Sequence, residues 1–367
     1  MRGRQPIVLV IGSHPHSGFS MLNFSSDAQL ALTNISDSTS MLFKAPKSIT
    51  FRFLRVRVLQ KYSTYVDKFL FFGPYLTFFK LRSGIDLIHI LDHSDAPYRF
   101  YLGKKRPVLI TVHDLFATNA ARGEISNVSI GIFGKIYQRA IESGLRGSNL
   151  ALPISESTRK SVLKQFPKLK TRVVHNFVFT PRETANYLSV DSINLSSKYF
   201  LILMNSHWRK DRFSSIQVWK EIISDSRLSS YGLVIVGSPL TSFENELIGD
   251  NERMVDVKQN LSHEEIAKLY SGCAAVINIS KYEGFGMPII EANINKKICV
   301  FGGSEAFREI ASPENIEYIE HYPINTSELL LKMDSQNVER AYEFTIDKYS
   351  EKNFINQMTQ IYRDYLK

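Results

Sequence analysis

The stretch Val276–Val300 reads VINISKYEGFGMPIIEANINKKICV and passes from strand to loop to helix within a few residues. Ala274, Ala275, Val276 and Ile277 form a short apolar run that predicts a buried strand. Tyr282-Glu283-Gly284-Phe285-Gly286 is a polar, glycine-bearing loop, and a helix begins at once after it. Pro288 is tolerated in a first helical turn, where its missing N–H costs nothing, and the Glu291 carboxylate falls early enough to suit the positive end of the helix dipole. A strand, a Gly-x-Gly loop and a helix N-terminus together present backbone N–H groups to an anion. A Gly-x-Gly before a helix is common and means little alone. Here Glu283 and Glu291, eight positions apart, bracket the anion site. Carboxylates beside a phosphate cradle would repel the phosphate, so each is expected to accept hydrogen bonds from hydroxyl groups. A nucleoside diphosphate sugar offers a sugar at each end of its pyrophosphate.

Composition sets the frame around that motif. A chain of 367 residues is long enough for two domains, and 44% hydrophobic with 22% charged residues describes ordinary globular cores rather than disorder. The two cysteines, Cys273 and Cys299, lack metal-ligand spacing and read as small apolar residues of a reducing, cytoplasmic compartment. Arg2 and Arg4 precede the apolar run Ile7–Ile11, which is too brief for a signal-peptide core and reads as a first buried strand. No apolar stretch is long enough to span a membrane. The pattern Asn278-Ile279-Ser280 lies inside the core motif and is not a glycosylation signal.

The net charge of +9 is uneven. Between Phe43 and Arg82 stand Lys44, Lys47, Arg52, Arg55, Arg57, Lys61, Lys68, Lys80 and Arg82 against one acid, Asp67, with a run of aromatics around Gly73-Pro74. Three readings are open: an ordinary helix pair with its apolar side in the core, an anionic membrane surface, or nucleic acid. No RNA-binding motif accompanies the charge, so nucleic acid is not expected as a partner.

In chain order, Ile7–Ile11 leads into the polar loop Gly12-Ser13-His14-Pro15-His16-Ser17-Gly18. Ile85–Leu91 reads as a strand ending in Asp92-His93-Ser94, and Pro107–Val112 as another ending in His113-Asp114-Leu115. In a parallel α/β sheet, ligands sit beyond the C-terminal strand ends, so both histidine-bearing ends point at one crevice. The spacing of Ile132, Ile136, Tyr137 and Ile141 predicts a helix over 126–147; Asn149–Ser155 reads as a strand, a helix starts near Ser157, and Arg172–Val178 reads as the last strand of the first half. Phe179–Ser197 is polar and aperiodic, as a linker is. Tyr199–Met204 opens the second half as a strand, followed by the cations Arg209, Lys210 and Arg212, which suit a pyrophosphate. Leu233–Val236 ends in Gly237, and Ser262 with Glu265 makes a capping box before a helix carrying Ile266, Leu269 and Tyr270 on one face. Residues 335–367 read as one or two C-terminal helices.

The string EGFGMPIIEA, residues 283–292, resembles the glutamate-x7-glutamate signature of retaining glycosyltransferases of family 4. That resemblance implies the GT-B architecture, an α/β chain of two doubly wound Rossmann-like domains facing a central cleft. It places an acceptor-side domain at 1–180, a linker at 181–198, a nucleotide-sugar domain at 199–345 and a C-terminal helix, 346–367, that packs back on the first domain. It further implies that Glu283 contacts the transferred sugar, that Glu291 takes the ribose hydroxyls, and that Gly284, Phe285 and Gly286 offer backbone N–H groups. Lys210, with Arg209 second, would meet the diphosphate. Gly18 and Gly237 would lie near the donor phosphates and nucleotide, with Asn260 and Leu261 near the base. Thr-Val-His-Asp-Leu resembles the segment that sets a histidine, here His113, beside the donor sugar; His89, Asp92 and His93 are lesser candidates for the acceptor.

The expected activity is metal-independent, cofactor-free transfer of a hexose, mannose by association, from a GDP- or UDP-sugar. The acceptor would be a glycan or lipid-linked glycan of surface polysaccharide, with segment 43–82 at the inner face of a membrane. The sequence departs from the family where a doubled glycine is reduced to Ser17-Gly18, where Met204 replaces a glycine, and where Lys296-Lys297-Ile298 replaces Gly-x-Pro. A nucleotide-sugar-binding protein of this fold with eroded or no activity is the alternative. A nucleic-acid binder would explain the charge and leave the paired glutamates without a role.

Overall fold

The computed structural model describes residues 4–35, 39–50, 63–82, 84–126, 128–178, 198–205 and 207–366. The chain forms two compact units, Met1–Phe177 with Glu351–Lys367, and Val178–Ser350.

The first unit is built on an all-parallel sheet of order β2-β1-β3-β4-β5, with β1 Ile7–Ile11, β2 Ser40–Lys44, β3 Leu87–Ile90, β4 Val108–Val112 and β5 Leu150–Pro153. The strands IVLVI, LIHI, VLITV and LALP are runs of apolar residues because a parallel sheet is covered by helices on both faces. Strand order reverses between β1 and β3, and in this arrangement the crevice for a ligand opens beyond their C-terminal ends. Helix Glu351–Leu366 belongs to this unit, burying Phe354, Met358, Ile361 and Tyr362 at helical spacing and stacking Phe354 on Phe177 at 4.3 Å. Each such buried side chain contributes about 1.5–3 kcal/mol.

The second unit carries a six-stranded parallel sheet of order β11-β10-β9-β6-β7-β8. Its strands are β6 Tyr199–Leu203, β7 Gly232–Val236, β8 Val255–Lys258, β9 Ala275–Ser280, β10 Cys299–Gly303 and β11 Ile316–Tyr318. Read from β6, this is the doubly wound dinucleotide-fold order, and its reversal lies between β6 and β9. The loops after those two strands are the ones that carry Lys210 and Glu283. Cys273 and Cys299 are free and buried, and burial pushes the Cys273 thiol up to about 12.

Several expectations need correction. The helix anticipated over 126–147 is Ile132–Arg146, capped by Gly131, because the amphipathic period starts only at Ile132. Arg172–Val178 is not a strand: β5 is short, and beside it the segment gains the bonds Arg172 N–H to Ala151 O (3.1 Å) and Val174 N–H to Pro153 O (3.0 Å), while Val178 N–H goes to Tyr349 O (2.9 Å) in an isolated bridge to Ser350. Strands β2, β8, β10 and β11 escaped the sequence reading; three of them are sheet edges, and β2 and β8 are only half-buried. The linker, 181–198, lies outside the described residues except for Lys198, as do Arg52, Arg55, Arg57 and Lys61. Among the described residues no helix is long and apolar enough to cross a membrane.

Candidate functional site

At the β6/β9 reversal, Trp208–Lys210 forms a single 3-10 turn whose Arg209 carbonyl accepts from Lys281 N–H at 2.8 Å. The backbone of one loop is thereby pinned to the other, and Lys210 Nζ donates to Glu283 Oε1. The carboxylate is 14% exposed and the ammonium 25%, so the pair sits in a partly screened position. Gly286 ends the loop at φ 143°, in the region that disfavours side chains, and a Cβ there would lie 3.2 Å from Phe307. Helix Met287–Ile294 follows, with Pro288 in its first turn. Phe285 is buried edge-on to Tyr349 at 5.7 Å, which leaves its backbone, not its ring, for the loop. Glu291 lies beyond the first turn, where its Oε2 accepts from Tyr270 Oη at 2.7 Å. The sequence pattern puts Tyr270 on the core face of its helix, and no spacing rule marks it as the holder of that carboxylate.

The three cations after β6 divide. Arg212 is 2% exposed and grips Glu244 with Nε at 2.7 Å and Nη2 at 2.6 Å, while its other donors go to the Ser238 and Pro239 carbonyls. It is a structural clamp, and the expectation that it meets a diphosphate is corrected: every face of the guanidinium is spent. Arg209 and Lys210 remain on the turn. Met204, which stands where the family has a glycine, turns its side chain into the core, where the sulfur accepts from Ser215 Oγ at 3.7 Å. The close approach occurs at Gly237, where a Cβ would lie 2.2 Å from the Met204 carbonyl oxygen. Asn260 takes φ 54°, just before the capping box of Ser262 and Glu265. Lys296 also takes φ 54°, so the turn keeps a glycine-like backbone without the glycine.

The first unit gathers polar groups at the ends of β1, β3 and β4. His113 is 3% exposed and its Nε2 donates to the Leu91 carbonyl at 2.9 Å, which leaves Nδ1 as a buried acceptor without a partner among the described residues. Phe24 meets its ring edge-on at 4.7 Å. Burial holds its pKa below the usual imidazole value against the opposing pull of Asp92. Asp92 caps the turn His93–Tyr98, accepting from Ser94 N–H at 2.8 Å and Ser94 Oγ at 2.7 Å, with His93 Nδ1 at 3.4 Å. Burial opposes ionisation of Asp92, but His93, His113 and Lys68 outweigh it and keep the carboxyl below its ordinary value. Gly18 caps helix Phe19–Thr33 in open space: a Cβ there would meet no atom of the described residues within 4 Å.

His89 drops out as an acceptor contact. It lies within β3, its Nδ1 and Nε2 are taken by Tyr362 Oη (2.7 Å) and Thr111 Oγ1 (2.8 Å), and burial lowers its pKa to about 3. Sequence reasoning missed the buried partners of this cluster. Lys68 lies 2.9 Å from Asp95, and His14 Nε2 lies 3.5 Å from Asp67. Burial raises Asp95 to about 6 and lowers His14 to about 4. Their signal was present as charged residues, His14 and Asp95 after strand ends and Asp67 and Lys68 in the helical segment Val66–Phe72, but the pairing spans tens of residues. Among the described residues no three His, Cys, Asp or Glu side chains are grouped to hold a metal ion.

Residues 188–335 match the family model described as glycosyl transferases group 1. No curated protein matches the chain. Among solved structures, a sucrose-phosphate synthase from Thermosynechococcus elongatus is 16% identical, with 98% of this chain and 99% of that one covered at a TM-score of 0.65. An α,α-trehalose-phosphate synthase (UDP-forming) from Burkholderia vietnamiensis is 8% identical over 99% and 98% at 0.66, and the lipopolysaccharide outer core galactosyltransferase WaaB is 13% identical over 98% and 99% at 0.59. At these identities the structures speak for the fold, which is GT-B.

Proposed function

We propose that this member of the group 1 glycosyltransferases moves a hexose, with retention of anomeric configuration, from a nucleoside diphosphate sugar to a glycan or lipid-linked glycan of surface polysaccharide. The observation that carries the reading is the Lys210–Glu283 pair at the strand-order reversal, beside the N-terminus of helix Met287–Ile294. A bound donor would separate the pair. The diphosphate takes Lys210 and Arg209 together with the helix N-terminus, and hydroxyls of the transferred sugar take Glu283. Glu291, steadied by Tyr270, accepts from the ribose, and His113 is the first unit's candidate for meeting a sugar hydroxyl through Nδ1.

In the transfer, the bond between the anomeric carbon and the leaving phosphate oxygen breaks as the acceptor oxygen bonds on the same face. The acceptor's proton goes to that phosphate oxygen. Cations and helix N–H groups offset the charge that develops on the diphosphate, the work that preorganised donors do best. No metal or cofactor is invoked. Asp92 and His93 are the acceptor-side candidates, and the basic segment 43–82 suits an acceptor held at the inner face of an anionic membrane. The inward turn of the Met204 side chain supports a working donor site over an eroded one.

The test is release of nucleoside diphosphate from GDP-mannose and from UDP-glucose, UDP-galactose and UDP-N-acetylglucosamine, with wild type and Glu283→Ala side by side. Release from one donor, absent in the variant, is the expected result. Binding without release from any donor and with any glycan or lipid acceptor would favour the binding-protein alternative.

A further inference from the structure

The helical segment Val66–Phe72, a π-helix, runs directly into helix Gly73–Arg82, and apolar residues occupy its outer side as well as its inner one. From Val66 to Leu81 its exposed side chains are Leu70, Phe71, Tyr75, Phe78 and Leu81, between 43% and 72% accessible, and none is charged. Its charged residues near the start, Asp67 and Lys68, are 1% and 5% exposed. The cause is local. Asp67 accepts from Ile49 N–H (3.1 Å), Thr50 N–H (2.9 Å) and Thr50 Oγ1 (2.9 Å), and Lys68 is held by Asp95 at 2.9 Å. These bonds draw the charges inward, Phe72 and Leu76 fill the core with Phe69 and Phe79 packed against it, and Leu70, Phe71, Tyr75, Phe78 and Leu81 face water.

A second helix continues the pattern. Tyr137 of Ile132–Arg146 lies 4.9 Å from Tyr65 and 5.9 Å from Phe69, ring to ring, so the two helical segments are neighbours. Its outer face exposes Ile132 (66%), Phe133 (71%) and Ile136 (54%) beside Lys135, Arg139 and Arg146, with no acid among its exposed residues. On the other flank, Lys80 and Thr77 bond the Tyr101 carbonyl and bring up Phe100, 59% exposed, followed by exposed Lys104 and Lys105. Arg106 and Arg99, after burial, hold the Lys80 pKa down, as an accumulation of like charge does.

We propose that the outer faces of 66–82 and 132–146 form one docking surface for an anionic lipid bilayer, with Leu70, Phe78, Leu81, Ile132, Phe133 and Ile136 entering the acyl boundary. The flanking lysines and arginines meet the headgroups. Apolar residues rimmed by cations fit a negatively charged interface, and a lone apolar patch would not by itself choose lipid over protein. The inward sides of the same elements reach the acceptor-side turn: Tyr137 Oη donates to the Ser94 carbonyl at 2.6 Å, and Lys68 meets Asp95. A lipid-linked acceptor would thus be met at the bilayer by the elements that shape Asp92 and His93, an inference that rests on the transferase reading.

The experiment is flotation of the full chain with vesicles of phosphatidylcholine alone and of phosphatidylcholine with phosphatidylglycerol, at low and high salt. Two double variants, Phe78→Gln with Leu81→Gln and Ile132→Gln with Phe133→Gln, accompany the wild type. Binding to the anionic vesicles, weakened by salt, is expected, and each pair of changes lowers it roughly tenfold or more. Melting temperatures should stay at the wild-type value because all four positions are exposed. Should a variant lose its fold, Lys135→Gln with Arg139→Gln replaces it and is expected to remove much of the salt-sensitive part. No binding to anionic vesicles, or a self-associated chain that ignores them, overturns the proposal; an unchanged 132–133 variant overturns the two-helix face. Vesicle binding without any sugar transfer would sink the enzymatic reading and leave the surface intact, whereas transfer to a soluble acceptor without vesicle binding would do the reverse.

Discussion

Two cation–carboxylate pairs start two residues apart in the second unit and behave as different kinds of object. Arg212–Glu244 is sealed, with side chains 1% and 4% exposed, and its donors are used up on carbonyls and a capping box. Lys210–Glu283 is reached by solvent, makes few further bonds, and sits where the strand order reverses. The contrast shows that a cation after a strand end is not yet a phosphate ligand. What separates the two is whether the neighbouring backbone has already satisfied the charge.

The largest effect should come from breaking the sealed pair. Glu244→Ala strands a buried guanidinium and is expected to cost about 3–5 kcal/mol in denaturant unfolding. The open pair should answer in the opposite way. Glu283→Ala or Lys210→Ala is expected to lower sugar transfer by about 10²–10³-fold, while unfolding free energy moves by no more than about 1 kcal/mol, as for partly exposed pairs. If the two variants exchanged these phenotypes, the division of roles would be wrong.

The first unit extends the comparison to pH, because its strand ends hold charges away from water. His14 and His89 have folded pKa values lowered to about 4 and about 3. A depressed histidine contributes stability that is present above the unfolded value near 6.5 and is lost as pH falls through the folded value. Asp95, raised to about 6, acts oppositely: its contribution is present below the unfolded carboxylate value and is lost as pH rises through 6. Melting curves between pH 7 and pH 3 should show stability falling by a few kcal/mol on the acid side. That fall should be shallower in His89→Phe. An acid limb unchanged in the variant would remove His89 from the account.

Two smaller effects sharpen the picture of the nucleotide side. Tyr270→Phe removes the bond that holds Glu291 and should raise the donor KM roughly fivefold, about 1 kcal/mol, with kcat little changed. Equal loss in both would mean a general packing role. Lys296→Gly should stabilise the chain by about 0.5–1 kcal/mol, since the left-handed backbone at 296 penalises any side chain. No gain in melting temperature would mean that the Lys296–Glu339 ion pair, 2.6 Å apart, offsets the strain.

What was legible in the sequence follows from how far each contact reaches. The strand, loop and helix of 275–294 are a continuous stretch, so apolar runs, a helix-start proline and Gly286 announce them. The capping box at Ser262 is equally local. Lys210 meets Glu283 across seventy-three positions, and only the parallel strand order brings them together, although each was recognisable as a candidate from its own loop. Arg212 was misread because burial is decided by Glu244, thirty-two positions on. His89 was misread because its bond partners come from β4 and from a helix at the far end of the chain. The exposed apolar side of 66–82 was open for a related reason: composition counts charges, and only the Asp67 and Lys68 bonds reveal which way they point.

The most direct measurement of the central claim is a thermal-shift titration of wild type and Lys210→Ala with UDP, GDP and ADP. Ligand at a hundred times its dissociation constant should stabilise the folded wild type by about 2.7 kcal/mol. The account predicts a clear shift with one nucleoside diphosphate and a much smaller one in the variant. No shift with any of the three, or an equal shift in the variant, would contradict a donor site built on Lys210 and Glu283.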